Sequence, residues 1–242
     1  KKWREWLGRL FYRGIDDMFF FSQKLYDDSL KTKKARQERM HVGHWGADMD
    51  YYDRIMKEHP ADQHAGFIST GRERRDMKTL VAAFNETDAR LDIYLNKSNC
   101  GIDYEQMFRN MEVRDNVNVH FMSGYQQANL SATVYHSVCV VICCLETKYT
   151  VGLTTVVEAL AFGLPIICSR NPQIPVDFDK EKCGISVPYY DKDGWIRAIR
   201  YVQEHPDEAR KMGQRARQLA EQMYNDRRCA AEVAQVLKKY ER

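Results

Sequence analysis

Two stretches of the chain combine residue types suited to a phosphorylated ligand. The first is TVGLTTVVEALAFGLPIICS, from Thr150 to Ser169. It joins a glycine-bearing loop, small residues Thr154 and Thr155 at a predicted helix start, one glutamate (Glu158) about a turn further on, and a Gly-Leu-Pro turn into a strand. Small side chains at a helix start let a diphosphate approach unpaired backbone N–H groups. Glu158 stands among Val156, Val157, Ala159 and Leu160. A carboxylate there is costly without donors, and the vicinal hydroxyls of a ribose would supply them. From physics alone, a glutamate answering the helix dipole explains the position equally well. The second stretch is STGRERRDMKTLVAAF, from Ser69 to Phe84. It sets Arg72 and Arg75 after Gly71, with Lys78 close behind. The planar guanidinium fork suits a diphosphate and could neutralise a leaving phosphate without a metal. A solvated basic turn is the plain alternative.

The elements around these stretches alternate. Strands are predicted at Met18–Ser22, a buried one, and in the stretch from Met40 to Tyr52, where the strand ends in a turn at Gly46. A polar linker containing Pro60 follows. From Ala65 onward, apolar runs such as GFIST, VCVVICC, PIICS and GISVP alternate with segments of helical periodicity, among them Asp76–Asn85, Leu153–Phe162 and Asp193–Gln203. Pro206-Asp207-Glu208 opens a further helix, because proline and acids suit a first turn. A last helix is predicted from Asp226 to Tyr240. Strands alternating with helices imply a parallel sheet covered on both faces, and VCVVICC is uniformly apolar as such a strand requires. Ligands of such sheets bind beyond the carboxyl ends of the strands. The fold class is therefore α/β, a Rossmann-like parallel sheet with helices on both faces.

Composition narrows the function classes. The 242 residues carry 37 basic and 34 acidic side chains, a net +3, which is too small a bias to argue for nucleic acid. The seven cysteines show no C-x-x-C pairing and no nearby histidine pair, so buried free thiols in a reducing compartment are expected and a zinc site is not. No G-x-G-x-x-G follows the first strand and no G-x-x-x-x-G-K-[ST] appears, which argues against a dinucleotide oxidoreductase and a P-loop enzyme. No apolar run approaches a membrane span. The opening KKWREWLGRLFYRG places Trp3, Trp6, Leu7, Leu10 and Phe11 at helical spacing among basic residues. Such a helix either packs on a partner domain, the reading preferred here, or lies on a membrane surface.

The Glu158 stretch closely resembles the signature of retaining GT-B glycosyltransferases, in which two glutamates separated by seven residues precede a "GxPVV"-like strand. The resemblance implies that Glu158 binds the ribose of a donor nucleotide. It puts the first glutamate, which contacts the donor sugar, at position 150, where this chain has Thr150. Glu146 is a weak substitute. Thr150, Val151 and Gly152 become the implied sugar contacts. The second stretch resembles the family's "GRxxRDxxTLLxA" loop, which makes Gly71, Arg72, Arg75, Thr154 and Thr155 the implied diphosphate site. MSGY falls where the base-binding loop starts and nominates Met122, Gly124 and Tyr125. GHWGADMDYY resembles the hinge between the two GT-B domains, and CGISVPYYDKDGWIRAI a later strand and helix.

These matches imply residues 1–48 as the end of an incomplete acceptor-side domain, 49–64 as a hinge, 65–225 as the nucleotide-sugar-binding domain, and 226–242 as a helix crossing back. They imply upstream sequence before Lys1, without which the fragment is expected to be inactive. The implied activity is retaining transfer of a sugar from a UDP- or GDP-sugar to a glycan or lipid-linked acceptor, as in surface polysaccharide synthesis. It needs no cofactor or metal: Asp48-Met49-Asp50 has D-x-D spacing but lies in the hinge-like segment. The resemblance places the protein in the cytoplasm, with room for peripheral membrane association and no nucleic-acid partner. It assigns no catalytic residue. A GT-B-type sugar-nucleotide epimerase and a non-catalytic nucleotide-binding module remain as alternatives.

Overall fold

The computed structural model describes residues 2–122 and 127–241. In chain order its first elements are α1 (Lys2–Arg13), β1 (Met18–Phe20), α2 (Gln23–Lys31), β2 (Met40–Val42), α3 (Met49–Glu58), β3 (Phe67–Ser69) and α4 (Met77–Phe84). There follow β4 (Leu91–Leu95), the short hairpin of β5 (Ser98–Asn99) and β6 (Ile102–Asp103), α5 (Tyr104–Arg109), β7 (Val117–Phe121) and α6 (Gln127–Tyr135). The last are β8 (Cys139–Ile142), α7 (Leu153–Phe162), β9 (Ile166–Ser169), β10 (Gly184–Val187), α8 (Lys192–Glu204), α9 (Pro206–Gln222) and α10 (Asp226–Leu237).

Six strands form one sheet in the order β10-β9-β8-β3-β4-β7, and every pairing is parallel. Starting at β3, the chain winds outward through β4 to β7, returns to β8, and winds the other way through β9 to β10. The direction reverses between β3 and β8, and the crevice beyond their carboxyl ends is where such sheets bind ligands. Alternate residues of each strand feed two cores. Val140, Ile142, Ile166 and Cys168 pack with Val156 and Leu160 of α7 and Ala216 of α9. Cys139, Val141, Ile167, Leu91 and Ile93 pack with Leu80 and Phe84 of α4 and Trp195 and Ile199 of α8. Both faces of β8 are thus buried, which explains its unbroken apolar run.

The amino-terminal part is slighter. β1 and β2 make a two-stranded parallel sheet, with Met18 opposite Met40. Its strand residues Met18, Phe19 and Phe20 are half-buried rather than buried as their apolar run suggests, because among the described residues the sheet has two strands with only the short helix α2 packed on it. On α1, Trp3, Trp6, Leu7, Leu10 and Phe11 are all exposed.

The region from Met40 to Glu58 refines one expectation. The strand predicted to end in a turn at Gly46 stops at Val42, and Met49–Glu58, within the segment read as a hinge, forms helix α3. Asp48 is the cause: its carboxylate accepts the Tyr51 N–H at 2.9 Å and caps the helix. Tyr52 and Ile55, three apart, then turn inward on one face.

Candidate functional site

The loop between β3 and α4 carries the arginines, and it is fastened from several directions. The Arg75 backbone N–H donates to the hydroxyl of fully buried Tyr104, 3.0 Å away. Asp76 N–H donates to the Cys143 carbonyl and Leu145 N–H to the Arg74 carbonyl, which ties the loop to the end of β8. The Asp76 carboxylate caps α4 through the Thr79 N–H and hydroxyl.

Arg75 itself is 3% exposed. Its guanidinium donates to the Thr70 carbonyl (3.2 Å), the Glu73 carbonyl (3.0 Å), Cys144 Sγ (3.4 Å) and Thr155 Oγ1 (3.5 Å). Every one of these partners is uncharged, because burial holds the Cys144 thiol above its ordinary range and so protonated. A buried cation surrounded by dipoles alone is expensive and favours an anion beside it. Gly71 makes the arrangement sterically feasible. Its φ of +107° suits glycine, and a Cβ there would come within 2.0 Å of Arg75 Nη2.

The other side of the crevice is the start of α7. Gly152, at φ +89°, caps it without a side-chain hydrogen bond, so the first N–H groups of the helix point outward. Thr154 is exposed there, and buried Thr155 meets Arg75. Glu158 sits further along α7. Its Oε1 accepts a hydrogen bond of 2.7 Å from Ser131 Oγ on α6. Burial pushes the Glu158 carboxyl above its ordinary range, and the Ser131 hydrogen bond opposes this in part. These groups share one cleft of about 860 Å³. Trp45, Asp48, Tyr51 and Tyr52 form a further wall, and Tyr94, Asn96, Met122 and Leu130 lie at the end beyond β4 and β7.

Of the expected diphosphate residues, Gly71, Arg72, Arg75, Thr154 and Thr155 all line this cleft, together with Glu158. Lys78 does not; it is exposed on α4 and faces a separate groove toward α5. Of the expected sugar contacts only Gly152 reaches the cleft. Val151 is 2% exposed and belongs to the core under β8. Thr150 turns its hydroxyl to the Gln173 carbonyl, 3.1 Å away. Exposed Glu146 is held by the Tyr190 hydroxyl through its backbone N–H, away from the cleft. Of the expected base contacts Met122 lines the cleft, while Gly124 and Tyr125 lie outside the described residues.

Sequence reasoning missed Ser131 and Tyr104, which act from elements distant along the chain and carry no local signal. It also missed Glu73 and Tyr149. The Tyr149 hydroxyl donates to Glu73 Oε1 at 2.8 Å and bridges the loops that follow β3 and β8. Tyr149 also lies against Arg74 and holds that guanidinium above its ordinary range. Among the described residues, no three His, Cys, Asp or Glu side chains converge as a metal site would need. No helix among them is long and apolar enough to cross a membrane.

The profile of one protein family, the glycosyl transferases group 1, matches residues 55–219. The chain belongs to that family. No curated protein matches it in sequence. Among solved structures it is similar to sucrose-phosphate synthase from Thermosynechococcus elongatus, at 18% identity and a TM-score of 0.76, over 99% of this chain and 62% of that one. It is similar to HepE of Anabaena in complex with UDP, at 12% identity and a TM-score of 0.75, over 94% of this chain and 65% of that one. It is also similar to WaaG, a glycosyltransferase involved in lipopolysaccharide biosynthesis, at 14% identity and a TM-score of 0.68, over 98% and 67%. These likenesses give the fold, that of the GT-B glycosyltransferases. The chain spans about three fifths of the length of the sucrose-phosphate synthase.

Proposed function

We propose that the chain is the donor-binding part of a glycosyltransferase that moves a sugar, with retention, from a UDP- or GDP-sugar to a glycan or lipid-linked acceptor. The observation that carries this reading is Arg75: a buried guanidinium with uncharged partners, facing an uncapped helix start across the switch point of a doubly wound sheet. That arrangement is suited to a diphosphate. Gly71, Arg72, Arg75, Thr154 and Thr155 hold the phosphates and Glu158 accepts the ribose hydroxyls. Met122 borders the base. Solved relatives bind such ligands, HepE being described in complexes with UDP and with UDP-glucose.

The role of Arg75 in transfer is electrostatic. Charge develops on the departing diphosphate as the bond to the sugar breaks, and a fixed, dry guanidinium stabilises that charge without reorganising. No metal is needed for this step, so nucleotide binding should survive a chelator. Residues 1–48 are assigned to an acceptor-side unit, consistent with a pair of parallel strands separate from the six-stranded sheet. The protein is assigned to the cytoplasm, where peripheral membrane contact through that unit would bring lipid-linked acceptors within reach. Thr150, turned away from the cleft, favours the second reading of a nucleotide-binding module without catalysis.

The deciding experiment is calorimetric titration of the chain with UDP, UDP-glucose, GDP and GDP-mannose, with and without EDTA. Tight binding that ignores EDTA supports the reading, and no binding of any of the four would sink it. Donor hydrolysis by the intact gene product then separates transferase from binding module.

A further inference from the structure

We propose that Glu73 supplies the carboxylate that position 150 lacks, accepting hydrogen bonds from hydroxyls of the donor sugar. This rests on the nucleotide-sugar reading and goes beyond it by naming the residue that recognises the sugar.

In a nucleotide sugar the reacting carbon is bonded to the distal phosphate, so the sugar must lie directly beside the diphosphate. The acidic side chains lining the described part of the cleft are Asp48, Glu73 and Glu158. Glu158 is on α7 against Ser131, at the ribose position. Asp48 is engaged as the cap of α3. Glu73 is two residues from Arg75, and its carbonyl accepts directly from Arg75 Nη1 at 3.0 Å. Glu73 lines the same cleft as Arg72, Arg75, Thr154 and Thr155.

That carboxylate is aimed. Oε1 accepts the Tyr149 hydroxyl at 2.8 Å, and Cys100 Sγ is 3.9 Å from the same oxygen. Among the described residues no hydrogen bond reaches Oε2. Tyr149 is the neighbour of Thr150, so the loop that would have carried a glutamate instead positions one from across the crevice. Thr150 donates its one hydroxyl proton to the Gln173 carbonyl and carries no charge, so it does not replace a carboxylate. A carboxylate beside a diphosphate is repulsive, an effect that the neighbouring Arg74 guanidinium moderates. It becomes favourable when a ligand places hydroxyl donors beside it, as the sugar of the intact donor does and free UDP or GDP does not.

The two ligands therefore respond to Glu73 in opposite directions. The test is calorimetry of the full chain with UDP against UDP-glucose and GDP against GDP-mannose, for wild type, Glu73→Gln, Glu73→Ala and Tyr149→Phe. Loss of a charge-assisted hydrogen bond should weaken the nucleotide sugar about tenfold in Glu73→Gln and further in Glu73→Ala. The free diphosphate should bind as well as before or more tightly. Tyr149→Phe keeps the carboxylate and should keep most of the preference for the sugar-bearing ligand.

A purely structural tie between the loops forecasts something else: Glu73→Gln and Tyr149→Phe would weaken both members of each pair alike. That result overturns the assignment, as does an unchanged ratio in Glu73→Gln. Failure of wild type to bind any of the four ligands overturns the nucleotide reading itself. Binding with no selective Glu73 effect overturns only the role of Glu73.

Discussion

The six-stranded unit and the amino-terminal unit are held together by different forces. In the first, Leu80, Phe84, Ile142, Leu160 and Trp195 are essentially inaccessible, and apolar burial on both faces of the sheet dominates. In the second, α2 buries no residue and α1 exposes its aromatic side. Polar contacts to the end of the chain take over there. Asp17 receives His41 Nε2, Lys239 Nζ and the Tyr240 hydroxyl, each at 2.6 Å. These three donors hold the Asp17 carboxyl well below the usual carboxylate range, although burial acts against them. Glu232 on α10 receives the backbone N–H and Nδ1 of His44 and Nε of Arg228. A unit closed by apolar burial on both faces of a sheet is stiff, whereas one closed chiefly by a few ion pairs and hydrogen bonds opens at less cost. The residues proposed to hold the diphosphate and the ribose all come from the stiff unit.

The strongest test of that contrast is a matched pair of truncations. Leu160→Ala should destabilise the chain by about 2–5 kcal/mol in chemical denaturation. Phe11→Ala, at an exposed position, should stay within about 0.5 kcal/mol. Equal losses would erase the distinction.

Next in size is the phosphate site. Arg75→Ala should weaken UDP or GDP binding by about 1.5–3 kcal/mol. Gly71→Ala should act in the same direction, because its methyl group would occupy the place of Nη2. Unchanged affinity in Arg75→Ala and Arg72→Ala would remove the assignment.

Glu158 offers a smaller, pH-dependent effect. Wild type should prefer ribo- over 2′-deoxyribonucleoside diphosphates, with Glu158→Gln milder than Glu158→Ala. The raised carboxyl is protonated earlier than an ordinary glutamate as pH falls, and a protonated carboxyl accepts fewer hydrogen bonds. The ribose preference should therefore shrink on acidification from neutrality, before ordinary glutamates titrate. A preference that is flat with pH, or absent, counts against the ribose role.

The smallest effect concerns the polar clasp. Asp17→Asn should speed amide hydrogen exchange in α10 and leave UDP affinity unchanged. Because the folded Asp17 carboxyl is depressed, its contribution is complete above the ordinary aspartate range and is lost as pH falls below it. Exchange in α10 should accelerate there before exchange in α7 does. Simultaneous acceleration would mean that the two units are one cooperative body.

Much of the fold was legible along the chain. Helix α7 begins and ends where its periodicity and flanking glycines place it, and uniformly apolar VCVVICC marked a strand buried on both faces. In region 40–58 the sequence pattern ends a strand at Gly46 and leaves helix α3 unassigned, because the start of that helix rests on the capping hydrogen bond of Asp48.

The candidate site divides in the same way. Gly71, Arg72, Arg75, Thr154, Thr155 and Glu158 announce themselves by residue type and local spacing, because glycine turns, helix starts and arginine forks are local devices. Local pattern also nominated Lys78, and the family resemblance nominated Thr150 and Val151; neither has a means of telling which way a side chain turns. Lys78 faces another groove, Val151 enters the core and Thr150 bonds to Gln173. Tyr104 under Arg75, Ser131 against Glu158 and Tyr149 on Glu73 each join positions at least 27 residues apart. Those contacts exist only once β4, β3 and β8 lie side by side and the helices pack on them, since strand order is set by which apolar faces can be buried together rather than by any residue in the loops themselves.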